Sequence, residues 1–239
     1  MPGQPTHTNR DIERLRLETS RRDREIPRTF YGWEKCVNRF FHCSLYRSSI
    51  DVLAAAGKFP FDSLRILDIG CGSGTWLLEF VQWGALPSMI AGIDLSEERI
   101  SLAAKRLPEA DIQAGDAQAL PWRSASFDIV TQFTVFTSIL DDSVRMRIAL
   151  EMLRVLNPGG VILWYDFRFN NPRNPNVRGI RRQEIRQLFK GCDIDFRSLT
   201  LLPPLARAVV SRSWLAAELL ETLPILRSHY LALIRKRRN

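Results

Sequence analysis

Asp68-Ile69-Gly70-Cys71-Gly72-Ser73-Gly74 is the stretch on which the reading of this chain turns. It follows the short apolar run Ile66 to Ile69 and leads into a helical pattern over Thr75 to Trp83. Glycines at alternate positions let the backbone turn sharply and come close to a ligand. A tight turn between a buried strand and a helix is the form of a phosphate or nucleotide loop, but the spacing matters. A dinucleotide fingerprint, GxGxxG, needs glycine at 75, where this chain has Thr75. The pattern is instead an acid, one residue, then GxGxG.

Outward from the loop the chain alternates strands and helices. Met89 to Asp94 is a second buried-strand pattern ending in an acid, 20 residues past Gly74. Ser96 is placed to cap the next helix, with Glu97 and Glu98 in its first turn, where the helix dipole favours anions. Ile112 to Asp116 reads as a short strand and Phe127 to Phe133 as a longer one. Asp142 can cap a helix through Leu156, stopped by Asn157-Pro158-Gly159-Gly160. Val161 to Phe167 is a further strand; Ile194 to Leu201 and His229 to Ile234 are two more, with helices over Arg181 to Phe189 and Ser213 to Leu223 between them. Strands alternating with helices of this length define a mostly parallel α/β sheet. In a doubly wound sheet a ligand lies outside the carboxyl ends of the strands, where Asp94 can accept from both ribose hydroxyls and Asp116 supplies another acceptor.

The set LDIGCGSG, GIDLS, AGDAQALPW, FDIVTQF and EMLRVLNPGGVILWYDF closely resembles the class I S-adenosylmethionine-dependent methyltransferases of the small-molecule or glycan type. The match covers roughly residues 62–167. The resemblance implies a Rossmann-like, doubly wound, seven-stranded sheet with a reversed last strand and an N-terminal helical cap. It implies a cap over residues 1–60 and a methyltransferase domain over 61–239, with the cofactor half at 61–170 and the acceptor half at 171–239. It implies S-adenosylmethionine as cofactor and S-adenosylhomocysteine as product. The backbone of Gly70, Cys71, Gly72 and Gly74 would cradle the cofactor, and Asp68 would hold the loop and reach the amino group through water. Asp94 would take the ribose hydroxyls, Leu95 the adenine face, Asp116 the adenine amine and Ala117 the ring. Gln132 and Phe133 would touch the methionine part. Each position also has a plainer reading: Asp68 and Asp94 as loop-fixing acids, Cys71 as a small buried residue, Gly92 and Gly115 as packing glycines, and Asp128 as the end of a turn.

The acceptor is narrowed mainly by exclusion. The Asn/Asp-Pro-Pro-aromatic motif of nucleic-acid amino-methyltransferases would stand where this chain has Gln132-Phe133-Thr134-Val135. A Pro-Cys nucleophile, a paired-Glu loop and a catechol-type metal-ligand set are not found. A small-molecule or glycan acceptor, methylated on oxygen, is what these exclusions leave. A hydroxyl acceptor needs a base within hydrogen-bond reach; His42 and Asp166 are the candidates. Tyr31, Thr137 and Arg168 are the candidate acceptor contacts, with His229 expected on the last strand, away from the rim.

Composition sharpens the question. The 239 residues carry a net charge of +8, with 29 arginines against five lysines. Residues 1–60 carry +4, 61–170 carry −5 and 171–239 carry +9. An acidic middle suits a cofactor with sulfonium and ammonium cations. The basic flanks suit an anionic or lipid-linked acceptor, a membrane surface touched by Leu199 to Ile234 and the Arg235–Arg238 tail, RNA, or simply a solvated surface in an arginine-favouring composition. An RNA-directed enzyme and a cofactor-binding scaffold without catalysis are the alternatives. No stretch of 18 apolar residues and no signal-like leader is present, and four cysteines and three histidines show no ligand spacing. A cytoplasmic, metal-free protein is therefore expected. Residues 9 to 25, charged in both signs, read as a solvated, partly helical arm.

Overall fold

The computed structural model describes residues 7–25, 27–171 and 174–237. Seven strands form one sheet: β1 (Ile66–Ile69), β2 (Ile90–Asp94), β3 (Asp111–Ala114), β4 (Phe127–Phe133), β5 (Leu156–Phe167), β6 (Cys192–Leu201) and β7 (Arg227–Lys236). Their spatial order is β3-β2-β1-β4-β5-β7-β6. The pairs from β3 through β5 are parallel, whereas β7 runs antiparallel to both β5 and β6. The reversed strand is thus last in the chain but second from the sheet edge.

The apolar runs follow from burial on both faces. Leu67, Ile69, Ile162 and Trp164 pack into one hydrophobic layer, with Ile148 and Met152 of α5 (Asp142–Val155) and Ile185 of α6 (Arg182–Leu188). Their strand neighbours Ile66, Val161 and Leu163 face the other layer, with Leu53 of α2 (Cys36–Ala55) and Leu77 and Phe80 of α3 (Thr75–Gln82). α4 (Glu97–Arg106) starts with Ser96, whose hydroxyl accepts from Arg99 N, as its sequence predicts.

Several local expectations change. The segment read as a solvated arm is a 19-residue helix, α1 (His7–Glu25), docked on the domain. Asp11 is buried and accepts from Leu140 N and Asp141 N at 3.1 Å each, Arg14 donates to Ser138 O, and Leu15 enters the core. Charge patterning reports what a helix can pair with locally, and here the partners lie more than 120 residues away. α2 runs from Cys36 to Ala55, and Gly57 just beyond it holds φ +70°. The cap of α5 is Asp141, which accepts from Ser143 N and Val144 N; Asp142 falls in the first turn. Asn157 to Gly160 do not form a separate stop, because β5 starts at Leu156 and incorporates them.

Gly92 shows how closely the layers meet. A methyl group there would stand 2.8 Å from Cys71 Sγ and 2.9 Å from Leu77 Cδ1. Gly92→Ala is expected to lose about 1–3 kcal/mol of stability by overpacking. Urea unfolding checks this; an unchanged midpoint would show that the loop and α3 move aside freely.

Candidate functional site

The carboxyl ends of β1, β2, β3, β4 and β5 form a rim, and the loop after β1 sits in it. Gly70, Gly72 and Gly74 all hold positive φ, +69°, +53° and +78°. At Gly70 this is compounded by crowding, since a Cβ would lie 2.4 Å from Val135 Cγ2. Gly70 N and Cys71 N both donate to Ile93 O, and Gly72 N donates to Asp94 Oδ2 at 3.0 Å. Asp94 Oδ1 accepts from Ser96 N at 2.9 Å. One carboxylate therefore ties the end of β2 both to the glycine loop and to the start of α4.

Asp68 lies beneath the loop, 2% exposed, and accepts from Thr131 Oγ1 at 2.7 Å. Burial pushes its carboxyl up to about 7, and the negative charge of Asp94 adds to the shift. Asp116 stands just past β3 and accepts from Gln118 N and Gln118 Nε2. Among the described residues, none of these three acids forms a salt bridge. Leu95 and Ala117 are half-buried against the adjoining hydrophobic layer, and α1 passes beside Leu95 and Ser96. Cys71 is buried, and its thiol is pushed far up by burial. This donor set fits S-adenosylmethionine. Buried Asp68 lacks a cation and has one oxygen unspent, which complements an ammonium group. The open space above Gly72, where a Cβ would meet nothing within 4 Å, leaves room for a ligand on the loop.

At the end of β4 the two expected cofactor contacts differ. Phe133 is half-buried and stacks on Trp76, with ring centroids 4.1 Å apart. Gln132 is fully buried and its amide is spent inside the protein, donating to Tyr165 O and accepting from Val135 N. Next to it Thr134 holds φ +61°, a strained conformation at the rim.

The candidate acceptor residues separate into three places. Asp166 and Thr137 form a buried pair: Thr137 Oγ1 donates to Asp166 Oδ1 at 2.5 Å, and Thr137 N and Phe167 N also donate to the carboxylate. Burial pushes Asp166 up to about 7. Arg168 lies over Phe169 and reaches Pro224 O. The Tyr31 side chain lies outside the described residues.

His42 is elsewhere, on α2. Its Nε2 meets Glu79 Oε1 at 2.9 Å, and its ring stacks on Trp76 at 5.8 Å with the edge of Trp33 at 4.5 Å. Glu79 accepts, so Nε2 carries the proton and Nδ1 keeps the lone pair. The pair lines a cavity of about 740 Å³ together with Tyr46, Trp214 and Glu218. Thr75 and Arg106 also line it; Thr75 follows the glycine loop, and Arg106 donates to Ser73 O within that loop. The cavity and the loop thus share a wall. Sequence reading missed Glu79, although an acid in the apolar run TWLLEFV was a visible signal.

His229 corrects an expectation. It pairs with Phe167 across β5 and β7, at the rim and not away from it. A reversed strand starts where its neighbours end. The ring lies against Tyr165 at 4.6 Å and Phe167 at 4.0 Å. Ser228 Oγ donates its one proton to Thr200 O, so His229 Nδ1 donates to Ser228 Oγ. Burial pushes the imidazole down to about 3. The unfolded chain holds this group near about 6.5. Between those values only the unfolded state binds the proton, so stability falls as pH drops from about 6.5 toward 3, with a slope of up to about 1.4 kcal/mol per pH unit. His229→Phe is expected to flatten that limb by up to one proton in urea titrations across this range; an unaltered slope would contradict it.

A glycine loop after β1, acids at the ends of β2 and β3 and a reversed β7 between β5 and β6 are the features of the Rossmann-like fold of class I S-adenosylmethionine-dependent methyltransferases, and this chain has that fold. Residues 66–160 match the family described as methyltransferase domain. Over 132 residues the chain is 31% identical to phthiotriol/phenolphthiotriol dimycocerosates methyltransferase 1 of Mycobacterium ulcerans (strain Agy99), covering 54% of this chain and 45% of that protein. It is 34% identical over 145 residues to 27-O-demethylrifamycin SV methyltransferase of Amycolatopsis mediterranei (strain S699), covering 57% and 50%. The chain spans about half the length of the curated relatives it matches. Magnesium protoporphyrin IX methyltransferase from Synechocystis PCC 6803, solved with bound SAH, superposes with a TM-score of 0.54 over 99% of this chain and 90% of that one; at 16% identity the likeness is one of fold.

Proposed function

We propose that this chain methylates a hydroxyl of a small-molecule or glycan-type acceptor, lipid-linked in its natural form, with S-adenosylmethionine as donor. The observation that carries this reading is the aromatic cavity holding the His42–Glu79 pair, which shares a wall with the glycine loop. Similarity to phthiotriol/phenolphthiotriol dimycocerosates and 27-O-demethylrifamycin SV methyltransferases supports the acceptor class.

When bound, S-adenosylmethionine supplies an electrophilic methyl group on a sulfonium. Asp94 would hold its ribose, Asp116 and Leu95 its adenine, and Asp68 its ammonium. The protein's own work is mainly positioning, which brings acceptor and donor into line. Trp33, Tyr46 and Trp214 give the acceptor flat apolar walls and displace water. His42 takes the hydroxyl proton on Nδ1, while Glu79 fixes the tautomer and steadies the imidazolium that forms. Asp166 remains a positioning group, because its oxygens already receive Thr137 and Phe167.

Calorimetric titration with S-adenosylmethionine, followed by transfer of labelled methyl to hydroxylated amphipathic acceptors, tests the reading. Micromolar binding with labelled ether product is expected. Failure to bind would overturn it, and binding with no transfer to any hydroxyl would favour a scaffold.

A further inference from the structure

The segment between β6 and β7 is built inside out. It contains α7 (Pro203–Val209), α8 (Trp214–Glu221) and a short turn at Pro224–Leu226. On α8 the residues turned inward are Ala217, fully buried, and Glu221, 8% exposed. Glu221 is held there by Ser44 Oγ at 2.8 Å and Leu201 N at 3.2 Å. Leu220 packs beside them, but Leu215 and Leu219 of α8, 66% and 62% exposed, and Leu223 and Ile225 beyond it, 49% and 76%, face out. A surface helix ordinarily does the reverse. A contiguous apolar patch of this kind marks an interaction surface.

Its surroundings indicate the partner. Arg207 and Arg212 are exposed on and just after α7 and form no ion pair among the described residues. Arg168 lies over exposed Phe169 and reaches Pro224 O in the turn. The one acid on the outer part of α8, Glu218, stands 3.9 Å from Arg47. Exposed leucines in a segment that also carries Arg207 and Arg212, with Arg168 reaching its turn, fit the interface of an anionic leaflet, where acyl chains take the leucines and headgroup phosphates meet the guanidinium groups. A second copy of the chain fits poorly, because two such patches would bring like charges together in a protein of net charge +8. Among the described residues no helix is long and apolar enough to cross a membrane, so the contact is peripheral.

We infer that residues 202–226 form a docking surface for an anionic lipid bilayer. α8 carries Leu215 and Leu219 of the patch and, at the adjoining positions, contributes Trp214 and Glu218 to the cavity. Docking therefore brings the cavity wall to the leaflet, where a lipid-linked acceptor resides.

The test is co-sedimentation of the full chain with vesicles, and it needs neither cofactor nor acceptor, so its outcome is independent of methyl transfer. Binding to phosphatidylcholine–phosphatidylglycerol vesicles, weak binding to phosphatidylcholine alone, and weakening by salt are expected. L215E/L219E should reduce apparent affinity by about tenfold or more. R207Q and R212Q should each weaken it by about fivefold. I225E, in the exposed 3-10 turn outside α8, is the second apolar variant; circular dichroism verifies that each remains folded. The inference is overturned if the chain ignores anionic vesicles, or if L215E/L219E and I225E bind as the parent does. It is equally overturned if sedimentation velocity shows a dimer that these variants dissociate.

Discussion

The Asp94→Asn chain is expected to bind S-adenosylmethionine about 100-fold more weakly than the parent. In the parent both oxygens of Asp94 accept backbone N–H bonds, from Gly72 at 3.0 Å and Ser96 at 2.9 Å. An asparagine sets an amide N–H against one of those two donors, which pushes the loop or the start of α4 away. It also removes the charge that a ribose diol would bond. Hydrogen bonds to a charged group contribute about 1.5–3 kcal/mol each, and about 3 kcal/mol is two powers of ten in affinity. Asp128→Asn is the control. Asp128 lies at the opposite end of β4, where it receives Arg65 N and Asn157 Nδ2. Calorimetry should show near-parental affinity in that variant, and equal losses in the two would mean that the acid at the end of β2 has no special role.

The second large effect falls on turnover. His42→Ala is expected to lower kcat by about 10²–10⁴, the usual worth of a positioned general base. S-adenosylmethionine affinity should stay within about twofold, a small difference on the affinity scale, because His42 touches none of the acids around the glycine loop. Glu79→Gln should fall between parent and His42→Ala, since glutamine can still accept the Nε2 proton but cannot steady a charged ring. Double-variant kinetics give the decisive reading. If Glu79→Gln lowers turnover as much in the His42→Ala background as in the parent, the two do not act as a unit. Alanine at both His42 and Asp166 with turnover intact would remove both as the base.

The parts of this protein legible in its sequence share a short range. Ile66, Leu67 and Ile69 are apolar because β1 is buried on both faces, and that reads directly from the sequence around Asp68. The GxGxG spacing permits the positive φ that residues 70, 72 and 74 adopt, a freedom local to those glycines. Ser96 caps α4 through an amide three residues on. Where the signal is local, the structure departs from it by a single residue. Asp141 and Asp142 are adjacent acids, and which one caps α5 depends on the path of the chain entering it.

What the sequence by itself determined is the α/β alternation, the glycine loop and the acids at the ends of β2 and β3. Each depends on periodicity or spacing within a window of some ten residues, where burial and backbone geometry act directly on neighbouring residues. Only the tertiary structure decided which distant residues meet. His42 finds Glu79 because α2 packs beside α3. His229 reaches the rim because β7 is antiparallel. α1 becomes part of the domain because the amides of Leu140 and Asp141 are offered to Asp11. Leu215 and Leu219 of α8 face outward because Ser44 and the amide of Leu201 hold Glu221 inside. In each case the partner is set by strand direction or by a hydrogen bond across the fold, and neither is written in the local pattern.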